Sequence, residues 1–300
     1  MNRPRLIGAI EAGGTKTVCA VGSSWQEVAE SEKLFLATET PEVTMRLALD
    51  FFLERSRGRS FDAIGVGTFG PVDLATTRIS PSTPKVAWRG ADWADAITAR
   101  FGEIAIAFDT DVNAAGLAEW RWGASRNCEV SVYWTIGTGI GGALVVNGRP
   151  IHGLQHPEFG HMFVPRVAGD EFVGTCLSHG DCLEGLAAGV AIAQRWGVEG
   201  SRLPFDHPAW DLEARYLASA VANVIALSSP QSIVLGGGVM SAPGLLDKVR
   251  KQTRELLNGY FSAREVNEGV ADFLVAPALG SNAGVIGAFA LANDALDGRR

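Results

Sequence analysis

The chain has 300 residues, of which 47% are hydrophobic, and it is long enough for two domains with separate cores. Its formal net charge is −7, so it lacks the basic balance typical of nucleic-acid binding. Four cysteines are too few for a disulfide scaffold and indicate a reducing compartment. No apolar run approaches the about 20 residues of a membrane span, and no secretion signal is evident. We therefore expect a soluble, cytoplasmic protein without a nucleic-acid or membrane partner.

The chain opens with two apolar segments separated by glycines, in residues 6–22 (LIGAIEAGGTKTVCAVG). This pattern predicts a β-hairpin with a widened loop. Residues 130–148 (VSVYWTIGTGIGGALVVNG) repeat it. The repeat indicates two related domains facing one another, although Gly-rich hairpins are common enough for coincidence to stay open.

Strands and helices alternate along the rest of the chain. Thr40 and Pro41 form the cap and first turn of a helix that ends at Gly58. Its predicted apolar face consists of Val43, Leu47, Phe51 and Phe52. The other predicted strands are 63–68, 104–108 and 232–235, and the other predicted helices are 113–122, 212–227, 245–257 and 283–296. The last helix is rich in small residues, and we expect it to pack back onto the first domain.

Three glycine-rich loops are candidates for nucleotide binding, because bare backbone N–H groups can approach phosphate oxygens closely. The first is 11–16 (EAGGTK), in which Thr15 adds a hydroxyl and Lys16 a positive charge. The second is 135–142 (TIGTGIGG), and the third is 236–239 (GGGV), whose backbone can lie against an adenine ring. Each loop alone is more often a tight turn, and the first lacks the order of a Walker loop.

Asp111 is the candidate catalytic base. It follows an apolar strand, and the ligands of α/β folds collect at the carboxyl edge of the sheet. A carboxylate there can accept the proton of a sugar hydroxyl as a γ-phosphoryl group arrives. Two alternatives stay open: Asp111 caps the helix that begins near Asn113, or the neighbouring Asp109 is the base.

Residues 155–189 contain a cluster of potential metal ligands. Cys176, His179 and Cys182 form a C-x2-H-x2-C pattern in a turn containing Gly and Asp, and His161 lies upstream. This donor set fits a tetrahedral structural zinc site. The alternative is that these side chains are core packing, since cysteine and histidine are often buried.

Two carboxylates and two further cysteines complete this pattern. Glu158 and Glu184 flank the predicted metal site, where they can hydrogen-bond a polar small molecule. Cys19 and Cys128 lie in apolar strand-like runs without ligand-spaced neighbours, so we expect both to be packing residues.

These motifs resemble the ROK family of sugar kinases and regulators, in its bacterial fructokinase branch. The resemblance runs from about residue 6 to residue 290. The matching segments are EAGGTK (11–16), STPKVAW (82–88), TDVNA (110–114), IGTGIGG (136–142), PEFGH (157–161), C-x2-H-x2-C followed by Leu-Glu, and GGGVM (236–240). Glu11 stands where most of these kinases have Asp, Thr110 where many glucokinases have Asn, and Val190 where related fructokinases have Pro.

The resemblance implies an α/β, two-domain actin-like (ribonuclease H-like) ATPase fold with an interdomain cleft. The expected domains are 1–115, completed by the helix at 283–300, and 116–282, which carries the zinc-binding loop. The implied activity is ATP-dependent phosphorylation of a hexose at the 6-hydroxyl, with D-fructose as the expected substrate and D-fructose 6-phosphate as the product. Mg²⁺ would accompany ATP, Zn²⁺ would be structural, and we expect a homodimer.

The resemblance also implies residue roles. Asp111 is the base, and Thr110, Glu158, His161 and Glu184 contact the sugar. The implied metal ligands are His161, Cys176, His179 and Cys182. The residues implied to bind the nucleotide are Gly13, Gly14, Thr15, Lys16, Thr135, Gly137, Thr138, Gly139, Gly189, Gly236, Gly237, Gly238, Val239 and Met240.

Three other functions are alternatives to fructose phosphorylation. A glucose or mannose kinase of the same family is the main alternative, since loops do not reveal which hydroxyl pattern a pocket accepts. A sugar-sensing regulator is disfavoured, because the first strand begins by Leu6 and leaves no space for a DNA-reading domain. A catalytically inactive, zinc-stabilised binding protein is disfavoured by the presence of Asp111 and all three loops.

Overall fold

The computed structural model describes residues 3–268 and 270–298. Its strands are β1 (Ile7–Ala12), β2 (Lys16–Gly22), β3 (Leu34–Ala37), β4 (Ala63–Thr68), β5 (Val72–Asp73), β6 (Arg78–Ile79), β7 (Ala105–Thr110), β8 (Val130–Ile136), β9 (Ile140–Val146), β10 (Arg149–Pro150), β11 (Ser232–Gly236) and β12 (Leu274–Val275). Its α-helices are α1 (Trp25–Glu30), α2 (Pro41–Ser56), α3 (Trp93–Phe101), α4 (Asp111–Trp122), α5 (Leu183–Ala187), α6 (Gly189–Trp196), α7 (Ala209–Ser228), α8 (Leu245–Leu257), α9 (Arg264–Asn267), α10 (Val270–Phe273) and α11 (Ala283–Asp297).

The chain divides into two compact units. The first contains the described residues up to Ala118, the segment 152–156 and the described residues from Ser281 onward. The second contains residues 119–151 and the described residues of 157–280. The domain boundaries expected from the sequence stay a prediction. The sequence carried no sign that 152–156 associates with the first unit.

The first unit is built on a sheet of strand order β3-β2-β1-β4-β7. β1 and β2 pair in antiparallel fashion, which confirms the first predicted hairpin, whereas β1, β4 and β7 run parallel. The register places Ala12, Thr68 and Thr110 side by side at the carboxyl ends of the parallel strands. The first glycine-rich loop and Asp111 therefore both follow this edge.

Helix α11 packs on β1, β4 and β7 of the same unit. Glycines allow this close approach. A Cβ added at Gly65 would lie 1.9 Å from Ala288 O, and one added at Gly287 would lie 1.9 Å from Ala114 O. The small residues that the sequence shows in this helix thus let its backbone approach the sheet and α4.

The predicted helix α2 exists, with the Thr40 side chain accepting from Val43 N–H as its cap, but its predicted face is wrong. Among the four residues predicted for the buried face, only Phe52 is buried, and Leu47 is exposed. The residues that face the core instead include Met45, Ala48 and Leu49. The segment is apolar on both sides, so its periodicity did not determine which side meets the sheet.

The second unit repeats the same strand pattern, in the order β10-β9-β8-β11-β12. β8 and β9 form the second predicted hairpin, and β8, β11 and β12 run parallel. Helices α7 and α8 pack together over a core that contains Trp134, Tyr216 and Leu235. Among residues 3–268 and 270–298, no helix is both long and apolar enough to cross a membrane.

Candidate active site

The first glycine-rich loop joins β1 to β2. The N–H of Gly13 donates to Lys16 O (2.9 Å), and the hydroxyl of Thr38 donates to Gly13 O (2.7 Å). Gly14, Thr15 and Lys16 are exposed. The loop therefore presents open backbone and a cation at the edge of the sheet, which are the features of an anion site.

Asp111 begins α4 immediately after β7 ends at Thr110. The hydroxyl of Thr110 accepts the N–H of Asn113 (3.1 Å), so Thr110, rather than Asp111, is the helix cap. The Asp111 carboxylate accepts the N–H of Val112 (2.9 Å). Burial raises the pKa of Asp111 to about 6. The group is therefore mostly ionised at neutral pH, yet more basic than an ordinary aspartate.

Glu11 is a second carboxyl group near the end of β1, and sequence reasoning gave it no role beyond the loop motif. Burial, followed by the negative charge of Asp111, raises the pKa of Glu11 to about 7, while Lys16 and a hydrogen bond from Val285 N–H act in the opposite direction. A Cβ at Gly284 would lie 2.6 Å from Glu11 Oε1. Glu11 therefore sits against the first turn of α11 and interacts electrostatically with Asp111.

Asp109, the alternative base, belongs to a buried hydrogen-bond network. Its carboxylate accepts from Thr110 N–H (2.7 Å) and Asn113 Nδ2 (2.7 Å), and His152 Nε2 lies 3.0 Å from its other oxygen. The bond to Asp109 raises the pKa of His152. Sequence reasoning missed His152 because it lies 43 residues from Asp109 and belongs to no motif.

The second glycine-rich loop joins β8 to β9 in the second unit. Gly137 N–H donates to Gly139 O (2.9 Å), and Gly189 N–H donates to Gly137 O (2.7 Å). Glu184 Oε2 accepts the N–H of Ile140 (2.9 Å). The loop is therefore held by residues that lie more than forty positions further along the chain.

The third glycine cluster follows β11 and contacts the second loop. Gly237 has φ of 93°, and a Cβ there would lie 2.3 Å from Ile136 O, so this position requires glycine. A Cβ at Gly189 would lie 3.7 Å from a side-chain carbon of Val239. The nucleotide residues predicted in this unit thus come from three adjoining segments: Thr135, Gly137, Thr138 and Gly139; Gly189; and Gly236, Gly237, Gly238, Val239 and Met240.

Glu158 precedes a single 3₁₀ turn (Phe159–His161) that ends with His161, whose N–H donates to Glu158 O (3.0 Å). Gly160 lets this turn lie against the start of β9, because a Cβ there would lie 2.0 Å from Ile140 O. Glu184 contacts the N–H of the same Ile140. The three residues of this unit that were predicted to bind sugar therefore belong to segments that meet at Ile140.

Four side chains converge in the loop of the second unit: His161, Cys176, His179 and Cys182, whose ligand atoms all lie within 4.8 Å of one another. Nδ1 of His161 lies 3.7 Å from Cys176 Sγ and 3.6 Å from Cys182 Sγ, and Nδ1 of His179 lies 3.6 Å from Cys176 Sγ. In a tetrahedral site with Zn–S about 2.3 Å and Zn–N about 2.0 Å, sulfur and nitrogen ligands are about 3.6 Å apart. The donors and their spacing therefore fit Zn²⁺.

The alternative of core packing does not account for this cluster, since His179 is exposed. Cys19 is fully buried, as expected for a packing residue, whereas Cys128 is only half-buried. The two cysteines outside the cluster thus differ from each other, and only one of them belongs to the core.

A buried ion pair stabilises another part of the loop that carries the metal-ligand candidates, at Asp170. Arg195 lies 3.0 Å from Asp170, which also accepts the hydroxyl of Tyr216. The guanidinium carbon of Arg195 lies 4.5 Å from the centre of the Phe172 ring. No sequence motif indicated this group, because its members are scattered along the chain. These contacts hold residues 170–172 without using the four metal-ligand candidates.

The comparison with known proteins gives the same family across the whole chain. The pattern of the ROK family matches residues 7–295. The chain is 41% identical over 302 residues to the fructokinase of Zymomonas mobilis, covering 97% of each protein. It is 39% identical over 295 residues to a putative fructokinase of Bacillus subtilis, covering 97% of this chain and 96% of that protein.

A solved structure supports the fold. A ROK family glucokinase from Streptomyces griseus, in complex with glucose and AMPPNP, superposes with a TM-score of 0.75 at 26% identity. The match covers 96% of this chain and 99% of that chain. The two α/β units thus define an actin-like ATPase fold, as predicted. The chain belongs to the ROK family.

Proposed function

We propose that this protein is an ATP-dependent hexose kinase that converts D-fructose to D-fructose 6-phosphate. The observation that carries the proposal is the 41% identity to a fructokinase over 97% of the chain. The retained glycine-rich loops and Asp111 agree with it. In this reaction the sugar 6-oxygen bonds to the γ-phosphorus, the bond from that phosphorus to ADP breaks, and the hydroxyl proton moves to a base.

The first unit supplies the base and one phosphate loop in this proposal. Asp111 takes the proton of the 6-hydroxyl, a role supported by its position at the carboxyl edge of the sheet and its pKa of about 6. Thr110 contacts the sugar through its hydroxyl. The backbone of Gly13, Gly14 and Thr15, together with Lys16, binds phosphate oxygens.

The second unit supplies further sugar and nucleotide contacts. Glu158, His161 and Glu184 orient the sugar hydroxyls. His161 directs Nδ1 toward the cysteines, which leaves Nε2 to face a ligand. Phosphate oxygens contact the loop containing Thr135, Gly137, Thr138 and Gly139. The adenine side is held by Gly189, Gly236, Gly237, Gly238, Val239 and Met240.

Two metal ions belong to the proposal. Zn²⁺, held by His161, Cys176, His179 and Cys182, would fix the loop without taking part in the transfer. Mg²⁺ would arrive with ATP, bound by its phosphates, and neutralise their charge. A cytoplasmic homodimer stays a prediction of the family resemblance.

The test is a hexose panel. Purified protein with MgATP is assayed for ADP release with D-fructose, D-glucose and D-mannose, and the product is identified by coupling to phosphoglucose isomerase. We expect the highest kcat/KM for fructose. A higher value for glucose or mannose would reassign the substrate within the kinase class. Absence of ADP release with every hexose would refute the kinase.

A further inference from the structure

Glu184 has a contact that its proposed role in sugar binding does not require. Its Oε2 accepts the backbone N–H of Ile140 at 2.9 Å. Ile140 is the first residue of β9 and pairs across the hairpin with Ile136, so it closes the second glycine-rich loop. Glu184 therefore touches the loop proposed to bind nucleotide phosphates.

The loop backbone is shaped for this carboxylate. A Cβ at Gly139 would lie 2.6 Å from Glu184 Oε2, well inside van der Waals contact. The glycine that would expose backbone to a phosphate is thus also the glycine that admits the Glu184 side chain. Any side chain at position 139 would push the carboxylate away from Ile140.

The short segment 184–189 contacts both ends of the β8–β9 loop, at Gly137 and Ile140. Glu184 binds Ile140 on one side, and Gly189 N–H donates to Gly137 O at 2.7 Å on the other. Glu184 lies in helix α5, and Gly189 is the first residue of α6. A carboxylate that accepts a backbone N–H makes a charge-assisted bond, which is stronger than a neutral one. Glu184 is the only charged member of this pair of anchors.

We propose that Glu184 is a positioning residue for the nucleotide: Oε2 fixes the β8–β9 loop in its phosphate-binding shape, while the other oxygen faces the sugar. This inference rests on the proposed function. A single carboxylate then serves both substrates. Loss of the hydrogen-bond acceptor weakens nucleotide binding even when no sugar is present, whereas loss of the charge alone weakens it less and also affects the sugar.

Three variants separate these effects. E184Q keeps an oxygen that can accept the Ile140 N–H but removes the charge. E184L removes the acceptor, and G139A displaces the carboxylate from the loop side. E171Q, an exposed acid in the same region of the second unit, is the control. Thermal unfolding and zinc content are recorded for each variant, so that binding is compared only between folded proteins.

The readout is the Kd of MgATP measured by calorimetry without sugar, followed by the KM for fructose. We expect E184L and G139A to bind MgATP about tenfold or more weakly, as loss of a hydrogen bond to a charged group predicts. E184Q should weaken MgATP binding less than E184L, because its neutral oxygen still accepts the Ile140 N–H but without charge assistance. It should also show a raised KM for fructose. E171Q should match the wild type in both.

Two results would overturn the inference alone: wild-type MgATP affinity in E184L and G139A, or equal weakening in E184Q and E184L. The first would mean that the loop needs no anchor from Glu184. The second would mean that charge, and not the hydrogen bond, acts on the nucleotide. A wild-type chain that binds no MgATP would instead remove the proposed function, and this inference with it.

Discussion

The position of Asp111 is determined by the junction of β7 and α4. It is the first residue of α4, directly after a strand, and Thr110 caps the helix in front of it. Its neighbour Asp109 has both oxygens engaged, by Thr110, Asn113 and His152. Of the two carboxylates that the sequence offered as base, Asp111 thus makes fewer hydrogen bonds to other protein groups.

Replacing Asp111 tests its role as base. D111N keeps the shape of the side chain but cannot accept the hydroxyl proton, so we expect kcat to fall by about 10²–10⁴-fold. Fructose binding, measured by calorimetry, should stay near that of the wild type. D50N, at an exposed position of α2, serves as the control. Near-normal turnover in D111N would remove Asp111 from this role.

Glu11 makes stability depend on pH. Its pKa is about 7 in the folded chain, against an ordinary 4.5, because burial disfavours the charged form. Between these values the folded protein binds a proton that the unfolded chain does not, so unfolding free energy falls as pH rises through this window. Above pH 7 the folded protein has to bury a charged carboxylate.

E11Q should therefore unfold at a higher temperature than the wild type at pH 8. The difference should shrink toward pH 5, where the wild-type carboxyl is protonated in the folded state. Each pKa unit corresponds to about 1.4 kcal/mol, so a gain of several degrees is expected. Scanning calorimetry at both pH values measures it, with E30Q at an exposed position as control. A pH-independent difference would contradict this account.

At the scale of elements, glycine contacts determine how closely α11 packs on α4 and how closely α2 packs on β1. A Cβ at Gly287 would collide with the backbone of Ala114, which cannot turn aside. A Cβ at Gly8 would lie 2.9 Å from the Phe52 ring. Unlike the backbone of Ala114, this ring can rotate or shift to make space. We therefore expect a glycine-to-alanine substitution to reduce the free energy of unfolding more where the new Cβ meets backbone than where it meets a side chain.

G287A is thus expected to destabilise the protein by about 1–3 kcal/mol or more, the range of overpacked sites. G8A should cost less. The midpoints of urea unfolding give both values. Equal stability of G287A and the wild type would show that α11 can shift away from α4 at no cost.

The metal-ligand loop offers a second test at this scale. We expect the wild type to carry about one zinc ion per chain, and C182S to lose most of it, because a structural site needs all four ligands. Elemental analysis after dialysis measures the ratio. C128S removes a cysteine outside the cluster and should retain its zinc. Full zinc occupancy in C182S would exclude the proposed ligand set.

Helices and strands were predictable from sequence where the local pattern of apolar, polar and glycine residues favoured one structure. Both hairpins were found from glycines between apolar runs, and α8 was predicted with its observed bounds. The buried face of α2 was not predictable. Leu47 and Met45 are both apolar, and only packing in the folded unit makes Met45 buried and Leu47 exposed. His152 and Arg195 act through partners distant in sequence, so no local signal marked them.

At the scale of the whole molecule, the sequence showed the repeat before the structure did. The echo between residues 6–22 and 130–148 corresponds to two sheets with the same strand order and direction. The glycine loops, the metal-ligand motif and Asp111 were recognisable because their chemistry restricts residue type. The contact of Glu184 with Ile140 was not recognisable in the sequence. A sequence does not show whether a carboxylate contacts a backbone N–H or a bound sugar.

Helix α11 follows β1, β4 and β7 in the chain, yet it covers these strands. Translation must therefore continue from β7 to α11 before β1, β4 and β7 receive that cover. During this interval the apolar face of these strands is exposed to water and to other proteins, and we expect chaperones to bind it. A chain that stops before α11 would therefore leave this face of the first unit's sheet uncovered.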